Sequence, residues 1–389
     1  MQGVTITLPY GHIVMRILLL GEYSNVHATL AEGLKALGHE VTVLSNGDFW
    51  KDYPRDIDLV RKPTKWGGVR YIFRLLTLLP RLRGYDIVQL INPMFLELKA
   101  RRILPFYGYL RRHNKRMVLG AFGMDWYWVH TCSTTMPLRY SDFNIGRKLR
   151  TDESALIEQQ DWLGTDKERL NKFIANDCDH IVTGLYEYQV CYEPYFPDKT
   201  TFIPYPIVPK DVNFDEIPPE AANQHAPLRL FIGISKNRSA YKGTDIMLRA
   251  AKTIQQQYPD RLELHIAEGL PFSEYIHKMN ASDAILDQLY SYTPAMNALE
   301  AMSRGIIVIG GGEPENYTIL DEQELRPIIN VEPTYESVCH ELKQLVLHPE
   351  RLHDLKRQSI AYIGRHHDYL KVARQYVGLY QELLTHPKD

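Results

Sequence analysis

Residues 16–45 read strand, turn, helix, strand: the apolar run RILLLG, the turn EYSN, the stretch VHATLAEGLKALG and a second run HEVTVLS. Leu30, Leu34 and Leu37 recur at helical spacing and stop at Gly38, a residue suited to end a helix. This is a βαβ unit, and it commits the chain to parallel strands joined through helical crossovers. Further apolar runs follow at YDIVQLI, KRMVLGA and CDHIVTG. A succession of such runs separated by helical or loop segments predicts a parallel sheet covered on both faces.

This first unit is expected to end near Pro206. Residues 208–227, VPKDVNFDEIPPEAANQHAP, are rich in proline and acidic side chains, lack apolar periodicity, and read as a linker. The alternation then restarts with LRLFIGIS, a helix from about Gly243 to Gln256, LELHIAEG, a short helix, DAIL, another helix, GIIVIGG and PIINV, before helices to the end. The expected fold class is α/β, with two Rossmann-like, doubly wound parallel-sheet domains facing a cleft. Ligands of such sheets bind at the carboxyl ends of the strands, which places the site between the domains.

Length agrees, because 389 residues exceed what one hydrophobic core usually serves. Apolar residues at 44% and charged residues at 24% are ordinary for a soluble protein. No run approaches the ~20 apolar residues of a membrane span. Cys132, Cys178, Cys191 and Cys339 have neither metal-ligand spacing nor the density of a disulfide scaffold, so buried thiols and a reducing cytoplasm are expected. The opening MQGVTITLPYGHIV lacks the parts of a signal peptide, and residues 1–14 read as an extension before the first strand.

Charge is uneven although the net is only −2. Residues 61–116 hold fourteen Lys or Arg against Asp86 and Glu97, a net of 14 − 2 = +12, so the remainder totals −14. Within this region Ile72, Leu75, Leu76 and Leu79 are expected to form an apolar face among Arg70, Arg74, Arg81 and Arg83. A basic amphipathic helix with Trp66 nearby fits either an anionic membrane surface or a helix packed on the core with basic residues in solvent. No recognised nucleic-acid module accompanies the charge, and no nucleic-acid partner is expected.

Three stretches of the second unit carry candidate chemistry. Glu300 lies on a helix expected over about Ala295–Arg304, where it serves either as a solvated carboxylate or as an acceptor for a ribose diol. Gly310, Gly311 and Gly312 follow the strand IIVI, either as turn punctuation or to let backbone approach a ligand. In ISKNRSAYKGTD, Arg238 and Lys242 flank a helix start, suited to a diphosphate or simply to solvent. The adjacent histidines of GRHHDYL point apart on a helix, so no metal site is expected there or elsewhere.

In combination these segments resemble the donor half of retaining, GT-B-fold glycosyltransferases of the family-4 type. Lys242 and Gly243 match the family's KG after the first strand of the second domain. EAMSRGIIVI, from Glu300 to Ile309, matches its EAM..G..VI, and Gly311, Gly312 and Glu315 match its GG..E. In the first domain LLGEYSN and GHEVTVLS look like its opening unit, GMD at 123–125 resembles its mid-domain loop, and IPYPI its strand before the crossover. Two positions depart. Tyr292 stands where many members carry a glutamate, and Phe122 where they carry a histidine.

The resemblance implies an acceptor domain over residues 1–207, a donor domain over 228–365 and a terminal helix, 366–389, that crosses back. It implies that Arg238 and Lys242 neutralise a nucleotide diphosphate, with Asp125 the third catalytic candidate. Glu300, Asn297, Gly311, Gly312 and Glu315 would then bind the donor, and Gly21, Glu22, Tyr23, Ser24, Asn25 and Gly123 would face the acceptor. The expected partners are a nucleotide-sugar donor, which is a substrate and not a cofactor, and a glycan or lipid-linked acceptor. The protein is expected to work without metal in the cytoplasm or on the inner face of its membrane. A nucleotide-sugar epimerase of the same fold and a degenerate nucleotide-binding protein remain as alternatives.

Overall fold

The computed structural model describes residues 14–212, 226–234 and 239–385. Arg238, most of the expected linker and most of the N-terminal extension lie outside them. In chain order the first unit contains β1 (Arg16–Leu20), β2 (Glu40–Ser45), β3 (Ile57–Asp58), β4 (Ile87–Leu90) and β5 (Arg116–Ala121). A small antiparallel hairpin of β6 (Asn144–Ile145) and β7 (Lys148–Leu149) follows, then β8 (His180–Thr183) and β9 (Thr200–Phe202). Except for the hairpin, these strands form one all-parallel sheet of order β3-β2-β1-β4-β5-β8-β9.

The second sheet joins β10 (Leu228–Ile234), β11 (Leu262–Glu268), β12 (Ala284–Leu286), β13 (Ile307–Gly310) and β14 (Ile329–Asn330), in the order β11-β10-β12-β13-β14 and again all parallel. The expected α/β class with two doubly wound sheets is therefore what forms. Chain direction across each sheet reverses between β1 and β4, and between β10 and β12, which opens a crevice at the carboxyl ends of those strands. Ile17, Leu18, Leu19 and Leu20 are all but inaccessible, as a strand covered on both faces requires. Each such side chain contributes about 1.5–3 kcal/mol by leaving water.

The chain returns to the first domain after a π-helical turn at Ile363–His367. Ile207 and Asp368 form a parallel bridge there, the Ile207 N–H donating to His367 O (2.7 Å) and the Tyr369 N–H to Ile207 O (3.0 Å). The two histidines of GRHHDYL do point apart. His366 meets Glu322 of the second domain through Nε2 (2.6 Å), and His367 donates from Nδ1 to Tyr205 O (2.9 Å). The terminal helix Tyr369–Thr385 then packs on the helix Val26–Ala36, close enough that a Cβ on Gly33 would stand 2.6 Å from Tyr369 O.

The basic region differs from expectation in two ways. Along the helix Lys65–Leu78, Leu75 is buried with Tyr71 and Leu78, while Trp66, Val69, Phe73 and Leu76 are exposed, so the expected apolar face is split. Tyr71 at one end of the inward stripe supplies what Ile72 does not, because a helical turn of 3.6 residues places 71, 75 and 78 in line. Much of the later charge is also neutralised inside the fold. Arg111 and Arg116 pair with Asp179 at 2.5 and 3.1 Å, Lys115 with Asp86 at 2.7 Å and Arg101 with Asp166 at 3.2 Å.

Candidate functional site

Where β1 ends, Gly21 turns the chain at φ +85°, and a Cβ there would come within 2.3 Å of Ile91 Cγ2. Conformation and space both exclude a side chain. Glu22 points inward and caps the next helix, accepting from the N–H groups of His27 (3.3 Å) and Ala28 (2.8 Å). Burial pushes its pKa up to about 7 although those N–H groups pull the other way. Ser24 and Asn25 adopt φ of 53° and 72° to start the helix Val26–Ala36. Behind them His27 donates from Nδ1 to Gly21 O (2.9 Å) and meets the Gln89 amide nitrogen at Nε2 (3.2 Å). Gln89 Oε1 accepts in turn from Tyr380 OH of the terminal helix (2.6 Å).

Gly123 sits beyond β5 against the Tyr23 ring, where a Cβ would meet Cε2 at 3.0 Å. Asp125 is fully buried and spent on its own domain. Its Oδ1 accepts from the Trp128 N–H (2.9 Å), capping the helix Trp126–Thr134, and its Oδ2 accepts from Tyr192 OH (2.8 Å). Burial raises this carboxyl to about 7. Its place in the fold is thus behind the loop that carries Gly123.

On the second domain Lys242 closes the short helix Ser239–Lys242, and Gly243 at φ +71° leads into the helix Thr244–Gln257. Lys242 lies near Asp287, a carboxyl past the end of β12 whose pKa burial raises and the Lys242 charge lowers. The Asn297 amide donates to Asp287 Oδ1 (3.0 Å) and its oxygen accepts from Tyr275 OH (3.0 Å). Lys242, Asp287 and Asn297 therefore form one polar group. Glu300, on the helix Met296–Met302, is held separately by Arg304 (2.5 Å) and Lys210 (3.5 Å).

Gly311 and Gly312 use their smallness for packing within the protein. A Cβ on Gly311 would stand 2.4 Å from Ser291 O, and one on Gly312 would stand 2.8 Å from Ile328 Cγ2. Glu315 is engaged across the domain boundary by Arg139, which donates from Nη1 to Glu315 Oε1 and from Nη2 to Glu313 Oε2, both at 2.6 Å. That guanidinium holds the Glu315 carboxyl below its usual range against the opposing effect of burial. Tyr140 OH also donates to Glu313, and the Arg139 N–H donates to Tyr292 OH (2.7 Å). Tyr292, one of the two departures, is thus part of an interdomain clasp.

A second clasp is built on Glu187 of the helix Tyr186–Tyr192. Its buried carboxylate accepts from the N–H groups of Tyr292 (2.7 Å) and Thr293 (3.1 Å) and from the hydroxyls of Ser291 (3.1 Å) and Thr293 (2.5 Å). Arg150, beside the β6–β7 hairpin, donates to Tyr241 O (3.1 Å) and Ala240 O (2.7 Å), with its guanidinium 3.7 Å from the Tyr290 ring centroid. Neither clasp was legible beforehand, because the partners are about a hundred residues or more apart and follow no spacing rule.

Beside the Glu187 clasp lies a cavity of about 430 Å³. Ser24, Lys51 and Gly123 line it from the first domain, and Lys242, Gln288 and Ser291 from the second. Lys51, which sequence reasoning missed, is oriented by Asp48 (2.6 Å) and Ser24 Oγ (3.1 Å). The signal for it was the glycine turn NGDFWK directly after β2. Tyr23 lines this cavity and also a second one of about 600 Å³, which runs under the helix Lys65–Leu78 between Leu59, Tyr71, Ile91 and Phe95. Lys51 and Lys242 share the cavity walls with the carboxylates of Asp48, Asp142 and Glu187, and the neighbouring cavity mixes apolar side chains with Arg61, Glu97 and Lys99. Among the described residues no cluster of three His, Cys, Asp or Glu is placed to hold a metal.

No family model and no curated protein matches the sequence. The similarity lies in the solved structures. Sucrose-phosphate synthase from Thermosynechococcus elongatus superposes with a TM-score of 0.60 at 13% identity, covering 95% of this chain and 99% of that one. The fold is GT-B. Other GT-B neighbours are Anabaena HepE in complex with UDP-glucose, with a TM-score of 0.58 at 10% identity over 95% and 100% of the two chains. The UDP-GlcNAc 2-epimerase from Neisseria meningitidis bound to UDP-GlcNAc gives 0.50 at 13% identity over 95% and 100%. A synthase and an epimerase thus share this GT-B architecture.

Proposed function

We propose that this protein transfers a glycosyl group from a nucleotide-sugar donor, bound on the second domain, to a hydroxyl of a glycan or lipid-linked acceptor bound on the first. The observation that carries this reading is the interdomain cavity with Lys242 on one wall and Tyr23, Ser24 and Lys51 on the other. In this reading Lys242 and Arg238 stabilise the leaving diphosphate by fixed charge, without metal and with retention at the anomeric carbon. Glu300 binds the ribose, Asn297 and Glu315 complete the donor side, and Asp125 supports the loop bearing Gly123. The acceptor enters through the 600 Å³ cavity that shares Tyr23 with the cleft.

The first test is a thermal-shift screen of nucleoside diphosphates and nucleotide sugars, beginning with uridine compounds because HepE and the epimerase are complexes of these. At a hundredfold excess over Kd a ligand adds about 2.7 kcal/mol, worth several degrees in a chain of this length. The shift should vanish in Lys242→Ala and in Glu300→Ala. A nucleotide response that survives both substitutions means that the donor lies elsewhere. Epimerisation is the second reading, favoured by the shared architecture, and donor incubated without acceptor distinguishes it: an epimer accumulates only in that case.

A further inference from the structure

The helix Lys65–Leu78 carries an apolar stripe that the fold does not use. Trp66 is 76% exposed and Phe73 68%, with Val69 and Leu76 also exposed. At about 100° per residue these four fall within roughly 80° of helix surface, centred opposite the buried Tyr71, Leu75 and Leu78. Arg70 and Arg74 flank the stripe on one side and Lys65 on the other. Among the described residues no carboxylate forms an ion pair with Lys65, Arg70, Arg74, Arg81 or Arg83, in contrast to the paired Arg101, Arg111, Lys115 and Arg116. Phe49 and Trp50 add two exposed rings, and Phe49 stands on the wall of the 600 Å³ cavity shared with Tyr71.

We propose that this outer face of the helix Lys65–Leu78 docks the first domain on an anionic lipid bilayer. Aromatic and aliphatic side chains enter the headgroup region while the unpaired cations meet lipid phosphate, as on an interfacial helix lying in the membrane plane. A second copy of the chain fits less well, because a twofold contact would set Arg70 and Arg74 against their own equivalents. Among the described residues no helix is long and apolar enough to cross a membrane, so the attachment is peripheral. The inference does not depend on the proposed reaction.

Co-sedimentation with vesicles tests it directly, using phosphatidylcholine alone and phosphatidylcholine with about one-third phosphatidylglycerol. The full chain should partition at least about tenfold more strongly onto the anionic vesicles, and added salt should weaken this binding. Trp66→Ser/Phe73→Ser should abolish it with the unfolding midpoint unchanged, because both rings are outside the core. Arg70→Glu/Arg74→Glu should abolish it independently, which keeps the test decisive if the first variant misfolds. Equal partitioning to both vesicles, or binding retained in both variants, would overturn the proposal. So would a dimer in sedimentation velocity that Phe73→Ser disperses while the unaltered chain ignores lipid.

Discussion

Glu187 shows how one side chain can fix the relation between two domains. Its carboxylate gathers two N–H groups and two hydroxyls from Ser291, Tyr292 and Thr293, all across the boundary. Glu187→Ala removes the acceptor and leaves those buried donors unpaired, which should cost about 3 kcal/mol. Urea unfolding would register this as a lower midpoint, and an unchanged midpoint would show that the clasp does not form in solution. Residue identity predicted some of the site and not the rest. Lys242 was legible because it follows the first strand of its sheet in a glycine-marked turn. Glu187, Arg139 and Arg150 were not, since ordinary helix and loop residues acquire meaning here only from distant partners. Tyr292 likewise gave no hint that its hydroxyl would receive the Arg139 N–H.

Among the elements, the helix pair Val26–Ala36 and Tyr369–Thr385 depends on a glycine within a helix. Gly33→Ala would press its Cβ to 2.7 Å from Ala373 Cβ as well as against Tyr369 O. Overpacking of this kind costs about 1–3 kcal/mol, so the melting temperature should fall by several degrees, further for Gly33→Val. Circular dichroism melts would check it, and an unaltered melt would mean that the terminal helix is not seated. Periodicity located this first helix well: Leu30 and Leu34 are fully buried, and Gly38 ends it at φ +87°. It found the helix Lys65–Leu78 but put Leu75 and Leu76 on one face, because two apolar stripes share one period and nothing local says which faces inward. The two-residue strand Ile57–Asp58 is similarly too short for alternation to develop, whereas the run PIINV did mark Ile329–Asn330.

For the whole molecule, pH reports on the crossing between domains. Burial lowers His367 to about 4 from an ordinary 6.5. The unfolded chain therefore takes up its proton first as pH falls, and stability from this group, full above 6.5, is lost on the way down to 4. Glu22 and Asp125, raised to about 7, act with the opposite sign as they protonate. Comparing His367→Asn with the unaltered chain isolates the histidine: the asparagine amide can still donate to Tyr205 O. The variant should lose up to about 3 kcal/mol less between pH 6.5 and 4, measured by urea unfolding at each pH. Identical pH profiles would refute the assignment. The line of bonds from Tyr380 through Gln89 and His27 to Gly21 carries a different consequence, one of timing. On the ribosome the first βαβ unit emerges long before residue 380, so its outer helix waits uncovered while the second domain is made. The turn that borders the cleft gains its last support only after the second domain has been made, and assembly of the site waits for that late contact.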